Sequence, residues 1–344
     1  MQSQSKKADI NPRSYTEPWR FLIQTYLRNA LCPAPSSRGV HLRDRLKEGS
    51  LVSNDSDRRC RPFRHMQKGV KVLELDIWDF RTMVRRYIDD APDCFITETD
   101  KPDMNIPCYG VNSLSVGQVN FLSRVDGQDE FLLLIMTFVL GPVTHCCRIL
   151  NNIPRHVPMA QSLEFIASRG PDQKAAVEWD VLRIPATMYG EGSLSIICVP
   201  PWRLDLDDLR AFTMPENIPQ NLAHHPRFRE CSEVARNTAH DLWQVVLESC
   251  APAGPCFVVT NYAFWCFGRF EAGKLKNNKG KEREGNDEGW ATATVSPPIE
   301  LEMSIPNSVR LPMKTEPMGL GCTVTECLTF WIQMTRGAAS WMQT

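Results

Sequence analysis

Apolar and polar residues alternate over Val70-Lys-Val-Leu-Glu-Leu-Asp-Ile-Trp78, a period of two that predicts a half-buried strand. The same alternation over Val177-Glu-Trp-Asp-Val-Leu-Arg-Ile184 predicts another. Ser193-Leu-Ser-Ile-Ile-Cys-Val199 is apolar at nearly every position and reads as a strand buried on both faces, stopped by Pro200-Pro201. Between Cys256 and Phe270, two apolar runs flank Thr260-Asn261-Tyr262. That pattern predicts a tight hairpin, with Asn261 supplying the left-handed backbone of the turn. A further strand is expected from Trp290 to Val295, ended by Pro297-Pro298.

Helical spacing marks the remaining elements. Thr16-Glu17-Pro18 looks like a helix start, followed by Phe21, Leu22, Tyr26 and Ala30 on one face and a stop at Cys32-Pro33. A short helix is expected from Asp79 to Ile88, and another over Ala160–Ala167. Asp205 can cap a helix whose inner stripe is Leu206, Leu209 and Phe212. A long helix from about Arg227 to Ser249 places Cys231, Ala235, Leu242 and Val246 on one side. The last helix opens with a capping box, Thr323-x-x-Glu326, and buries Cys327, Leu328, Trp331 and Ile332.

From residue 160 onward the order is helix, two strands, helices, three strands, helix. This predicts an α/β or α+β fold: a mixed sheet flanked by helices, occupying residues 156–344. Residues 1–155 read as a poorly defined N-terminal region with an early helix and irregular, partly disordered segments. The stretch 90–155 carries no readable pattern. Its abrupt apolar run, Phe131 to Leu140, is shorter than the roughly 20 residues a spanning helix needs, and Gly141-Pro142 interrupts it. A buried helix or strand accounts for it; a membrane tether through 131–150 is the alternative.

Composition narrows the class. The chain has 344 residues, 42% hydrophobic and 23% charged, with a net charge of −1. These are the proportions of a globular protein, and no global field draws it to nucleic acid or to an anionic membrane. Thirteen cysteines without a CxxC pair, behind an N-terminus lacking an apolar signal core, point to reduced thiols in the cytoplasm or nucleus.

Two basic runs could contact nucleic acid or an import receptor. One holds Arg58, Arg59, Arg61 and Arg64; the other holds Lys276, Lys279 and Lys281. The plainer alternative is a solvated loop, because Glu282, Glu284, Asp287 and Glu288 dilute the second run. His145-Cys146-Cys147, His224-His225 and the pair Cys322 and Cys327 lack zinc-site spacing. Hairpin aromatics such as Phe264, Trp265 and Phe267 fit core positions better than a base-stacking platform.

Three segments carry a resemblance: Val199-Pro-Pro-Trp-Arg-Leu204 with Asp208 and Phe212, the Phe257-to-Phe270 hairpin with Gly289-Trp290, and Thr323-Val-x-x-Cys-Leu-x-Phe-Trp331. Together they resemble a group of uncharacterised fungal proteins with PPWxL and FVxTNYxxWxFGxF segments. In that group FGxF runs almost directly into GW. Residues 271–288 therefore read as a low-complexity insertion, and they and 113–150 as retained intron sequence. The group in turn resembles, in element order, the PD-(D/E)XK restriction-endonuclease-like fold. That resemblance implies an Asp on one strand, a Glu-x-Lys triplet ending the next, a long helix and a further strand, with Mg²⁺ held by the carboxylates.

Carried over position by position, the first Asp falls on Asp180. Glu164 and Glu178 are further candidate carboxylates, and Arg203 is a candidate replacement for the lysine. The triplet falls on Cys198-Val199-Pro200, which neither binds a hard cation nor moves a proton. The expectation is a non-catalytic binding or interaction module, with nucleic acid or protein as partner and no cofactor. The alternative is a divergent Mg²⁺-dependent nuclease with Asp180 as metal ligand.

Overall fold

A computed structural model of the chain describes residues 20–30, 32–33, 36–37, 40–41, 70–103, 125, 128–153, 166–168, 180–184, 194–215, 231–271, 291–303 and 322–335. The elements run β1 (Arg20–Leu22), α1 (Ile23–Asn29), β2 (Ser36–Ser37), β3 (Val40–His41), β4 (Val70–Glu74), α2 (Ile77–Asp90) and β5 (Phe95–Thr97). Next come α3 (Gln128–Ile135), a π-helical segment (Met136–Leu140) and α4 (Gly141–Leu150). The rest are β6 (Ile166–Ser168), β7 (Asp180–Ile184), β8 (Leu194–Cys198), α5 (Leu206–Thr213), α6 (Glu233–Ala253), β9 (Cys256–Thr260), β10 (Phe264–Phe270), β11 (Ala291–Val295), β12 (Ile299–Glu300) and α7 (Val324–Thr335).

One mixed sheet organises the molecule, in the order β4-β11-β10-β9-β8-β7-β6, with β12 also pairing β10. β6, β7 and β8 form an antiparallel run; β9 lies parallel to β8, and β10 antiparallel to β9. Parallel neighbours need a long crossover, and α5 and α6 supply it. The α/β expectation therefore holds at the level of a mixed sheet flanked by helices.

Side chains alternate across each strand, so β10 splits its aromatics between the two faces. Phe257 and Phe270 meet Phe212 of α5 and Trp243 of α6 on one face. Phe267 meets Phe80 of α2 and Trp331 of α7 on the other. Every residue of β8 and β9 is buried, as a sheet covered on both sides requires.

Described residues before 155 belong to the same core. β4 pairs in parallel with β11, and one apolar cluster takes Tyr26, Phe80 and Phe138 together with Phe257 and Trp331. The stretch that carries no readable pattern contains α3 and α4. Pro142 has no N–H to donate, and the chain passes it through a wider turn in which Gly141 N–H donates to Met136 O. Asp129–Leu150 is the one helix among the described residues with the length and composition to cross a membrane, but 67% of its apolar window is buried in the fold. Its packing on α7, where Gln333 donates to Cys147 O, gives this apolar run a core role.

Several boundaries differ from expectation. Arg20–Leu22 is a strand paired with β5, so the first helix begins only at Ile23. Ile166 and Ala167 lie in β6 where helix was expected, because pairing with β7 satisfies their backbone. α6 begins at Glu233, where Ser232 accepts from Ala235 N–H; residues 227–230 lie outside the described set. In the hairpin, the left-handed residue is Tyr262, at φ 75°, and not Asn261. Asn261 uses its side chain instead, accepting from Phe264 N–H at 2.8 Å and donating to Leu204 O at 2.9 Å.

Candidate functional site

The β7–β8 register sets the geometry of the expected acidic site. Asp180 opens β7 and pairs with Cys198, the last residue of β8; Cys198 pairs in turn with Thr260, the last of β9. These three residues form one row across the sheet. The strands carrying Asp180 and the triplet slot are direct neighbours.

The slot itself holds no metal chemistry. Cys198 is fully buried, Val199 is nearly so, and Pro200 is also buried. Mg²⁺ requires hard oxygen donors in octahedral array, and a thiol, an isopropyl group and a pyrrolidine ring supply none. The donor set does not fit the ion. Among the described residues, no group of three His, Cys, Asp or Glu side chains is placed to hold a metal. Arg203 sits half-buried in the turn after the slot, where its N–H donates to Pro200 O at 2.9 Å. Asp205 caps α5, accepting from Asp208 N–H while Asp208 accepts from Asp205 N–H, each at 2.9 Å. That reciprocal bond commits Asp205 to the helix start. Glu164 and Glu178 lie outside the described residues, as do Arg58, Arg59, Arg61, Arg64, Lys276, Lys279 and Lys281.

The motif residues have structural work at this end of the sheet. Asn261 ties the hairpin to Leu204 of the PPWRL segment. Thr260 Oγ1 accepts from Tyr262 N–H and donates to Phe264 O, both at 2.9 Å. Tyr262 Oη donates to Pro33 O at 2.6 Å, and Trp265 Nε1 donates to Tyr262 O at 2.8 Å. These bonds hold Tyr262 in a backbone region that bulky residues rarely adopt. A Cβ at Gly268 would collide with the edge of the Phe257 ring, so only glycine lets the ring lie against the strand. The hairpin turn is thus anchored to PPWRL through Asn261, and FGxF makes room for Phe257 within the hairpin.

A second cluster went unnoticed in the sequence. His145 Nε2 lies 3.1 Å from Asp100 Oδ1, and His145 Nδ1 lies 3.8 Å from Asp103 Oδ2. Burial pushes the Asp100 carboxyl up, but hydrogen bonds from Thr97 and His145 outweigh it and hold the group below the usual carboxylate range. Forty-five residues separate the partners, and no local pattern links them. The pair joins α4 to the loop after β5, with the ring held between two acids.

Among the described residues, every cysteine whose acidity is shifted is moved away from the thiolate. Eleven cysteines lie among the described residues, all free. Burial pushes Cys256 and Cys322 up to about 12 and raises Cys32, Cys266 and Cys327 as well. A reactive thiol needs the opposite shift.

A scan against protein-family models gives no match, and neither the curated proteins nor the solved structures include a significantly similar chain.

Proposed function

We propose that this chain is a non-catalytic binding or interaction module built on a nuclease-like sheet, acting in the cytoplasm or nucleus on a nucleic-acid or protein partner. The observation that carries the reading is the content of the slot opposite Asp180: Cys198, Val199 and Pro200, all buried. The antiparallel β6–β7–β8 run, the α6 crossover and β9 parallel to β8 support the likeness to the PD-(D/E)XK arrangement. The missing carboxylate and lysine support loss of its chemistry. Eleven free cysteines fit a reducing compartment, and burial of two-thirds of the apolar 129–150 helix fits a core element better than a tether.

Incubating the purified chain with single- and double-stranded DNA and RNA, in Mg²⁺ and in Mn²⁺, tests the reading. No cleavage above buffer is expected, and Asp180→Asn should leave that baseline unchanged. Metal-dependent cleavage lost in Asp180→Asn would overturn the reading and install a divergent nuclease in its place.

A further inference from the structure

A half-open cavity of about 450 Å³ lies against the sheet face opposite α6, between β10, β11, α2 and α7. Its size falls within the range of small-molecule sites. Four elements line it for reasons visible in their spacing. Phe80, Met83 and Arg86 follow one another at three-residue steps along α2 and so share a side of the helix; Trp331 and Met334 do the same on α7. Arg269 of β10 pairs with Thr294 of β11, so their side chains leave the same face of the sheet at neighbouring positions.

The lining divides by chemistry. Phe80 and Trp331 are buried and close the inner wall, while Met83, Met334 and Leu75 give an apolar and adaptable surface around it. The polar groups are two guanidiniums and the hydroxyls of Thr82 and Thr294. Arg269 is exposed and makes no ion pair among the described residues. Arg86 reaches Asp90 at 3.5 Å, with both side chains more than 70% exposed, a surface pairing that a better acceptor can displace. Two cations on facing elements beside an apolar hollow, with no carboxylate in the lining, are complementary to one kind of guest. Guanidinium forks recognise planar or tetrahedral oxyanions through paired N–H donors.

We propose that this cavity binds a small amphipathic anion, its apolar body against Leu75, Met83 and Met334 and its carboxylate or phosphate toward Arg269 and Arg86. The proposal goes beyond the binding reading, adding a small-molecule ligand to its macromolecular partner. Its site is three strands from Asp180 in the sheet order, so the nuclease assay and the test below can fail independently.

Three probes with one body separate the contributions: 1-naphthaleneacetate, 1-naphthyl phosphate and the neutral 2-(1-naphthyl)ethanol, each titrated into the full chain by calorimetry. At least one anion should saturate, and the alcohol should bind at least about tenfold more weakly. The better anion identifies the head group. Arg269→Gln, a change at an exposed side chain, should weaken the anion about tenfold and leave the alcohol unchanged. Arg86→Gln should act in the same direction. Thr294→Trp, which fills the hollow, should abolish binding of all three, provided its circular dichroism matches the wild type. If it does not fold, the two arginine variants decide alone. The proposal is overturned if neither anion saturates, if the alcohol binds as well as the anions, or if both arginine variants bind the anion as the wild type does.

Discussion

The two faces of the sheet carry similar aromatic residues and end in different states. Under α5 and α6, Phe212 stacks on Trp243 with centroids 4.3 Å apart, and both lean on Phe257. Trp243 Nε1 donates to Phe212 O at 3.1 Å, so the one polar atom in the stack is satisfied. Under α2 and α7, Trp331 packs edge to face on Phe80 and Phe267, and those two rings lie tilted to each other, with centroids 5.6 to 5.8 Å apart. Here Trp331 Nε1 has no hydrogen-bond partner among the described residues, and a hollow with two arginines remains beside the cluster. Apolar content does not separate the faces. Closure rests on Gly268 admitting Phe257 and on Phe212 and Trp243 packing onto that ring, whereas α2 and α7 leave a gap beside β10 and β11.

The strongest way to break this contrast is Gly268→Val. Its side chain would collide with the Phe257 ring, and the closed face should lose about 3 kcal/mol or more. Denaturant unfolding measures the loss; an unchanged midpoint would mean that the closed face tolerates looseness after all.

Alkaline pH probes both faces together. Cys266 on β10 and Cys327 on α7 are fully buried, and burial raises both thiols. A raised folded value means that stability is fully present below the unfolded thiol value of about 8.5 and is lost as pH rises beyond it toward the folded value. Each thiol should contribute a fall of up to about 1.4 kcal/mol per pH unit in that window. Unfolding curves from pH 7.5 to 11 in reductant should steepen accordingly, and Cys266→Ala and Cys327→Ala should each flatten the trend. A slope unaffected by either change would show that water already reaches these groups.

The finest discrimination comes from matched tryptophans. Trp243→Phe removes the donor to a buried carbonyl and should cost about 1 kcal/mol more than Trp331→Phe, whose indole N–H has no described partner to lose. Equal losses would erase the distinction between the faces at this level.

Much of the architecture was legible because it rests on short-range pattern. Alternation located β4 and β7, and a continuous apolar run located β8; caps located α5 and α7, where Glu326 accepts from Thr323 N–H at 2.8 Å as the capping box implies. The Asp180 and Cys198 segments were expected as strands, and they are neighbours. The basic runs and two of the candidate acids lie outside the described residues. α3 and α4 were illegible because an all-round apolar helix has no polar face to set a period, and Gly141-Pro142 imitates a stop. The turn conformation at residue 262 misled for a related reason: local propensity favours Asn in a left-handed position, but the bond from Tyr262 to Pro33, 229 residues away, outweighs it.

By itself, then, the order of residues determined a mixed sheet between helices, because strand period and helix caps are properties of neighbours in the chain. Only the tertiary structure decided that Arg269 and Arg86 share one hollow, that His145 meets Asp100, and that Gly268 must make room for Phe257. Those pairings join residues that no local rule connects. They exist because burying both faces of one sheet leaves distant segments few places to go.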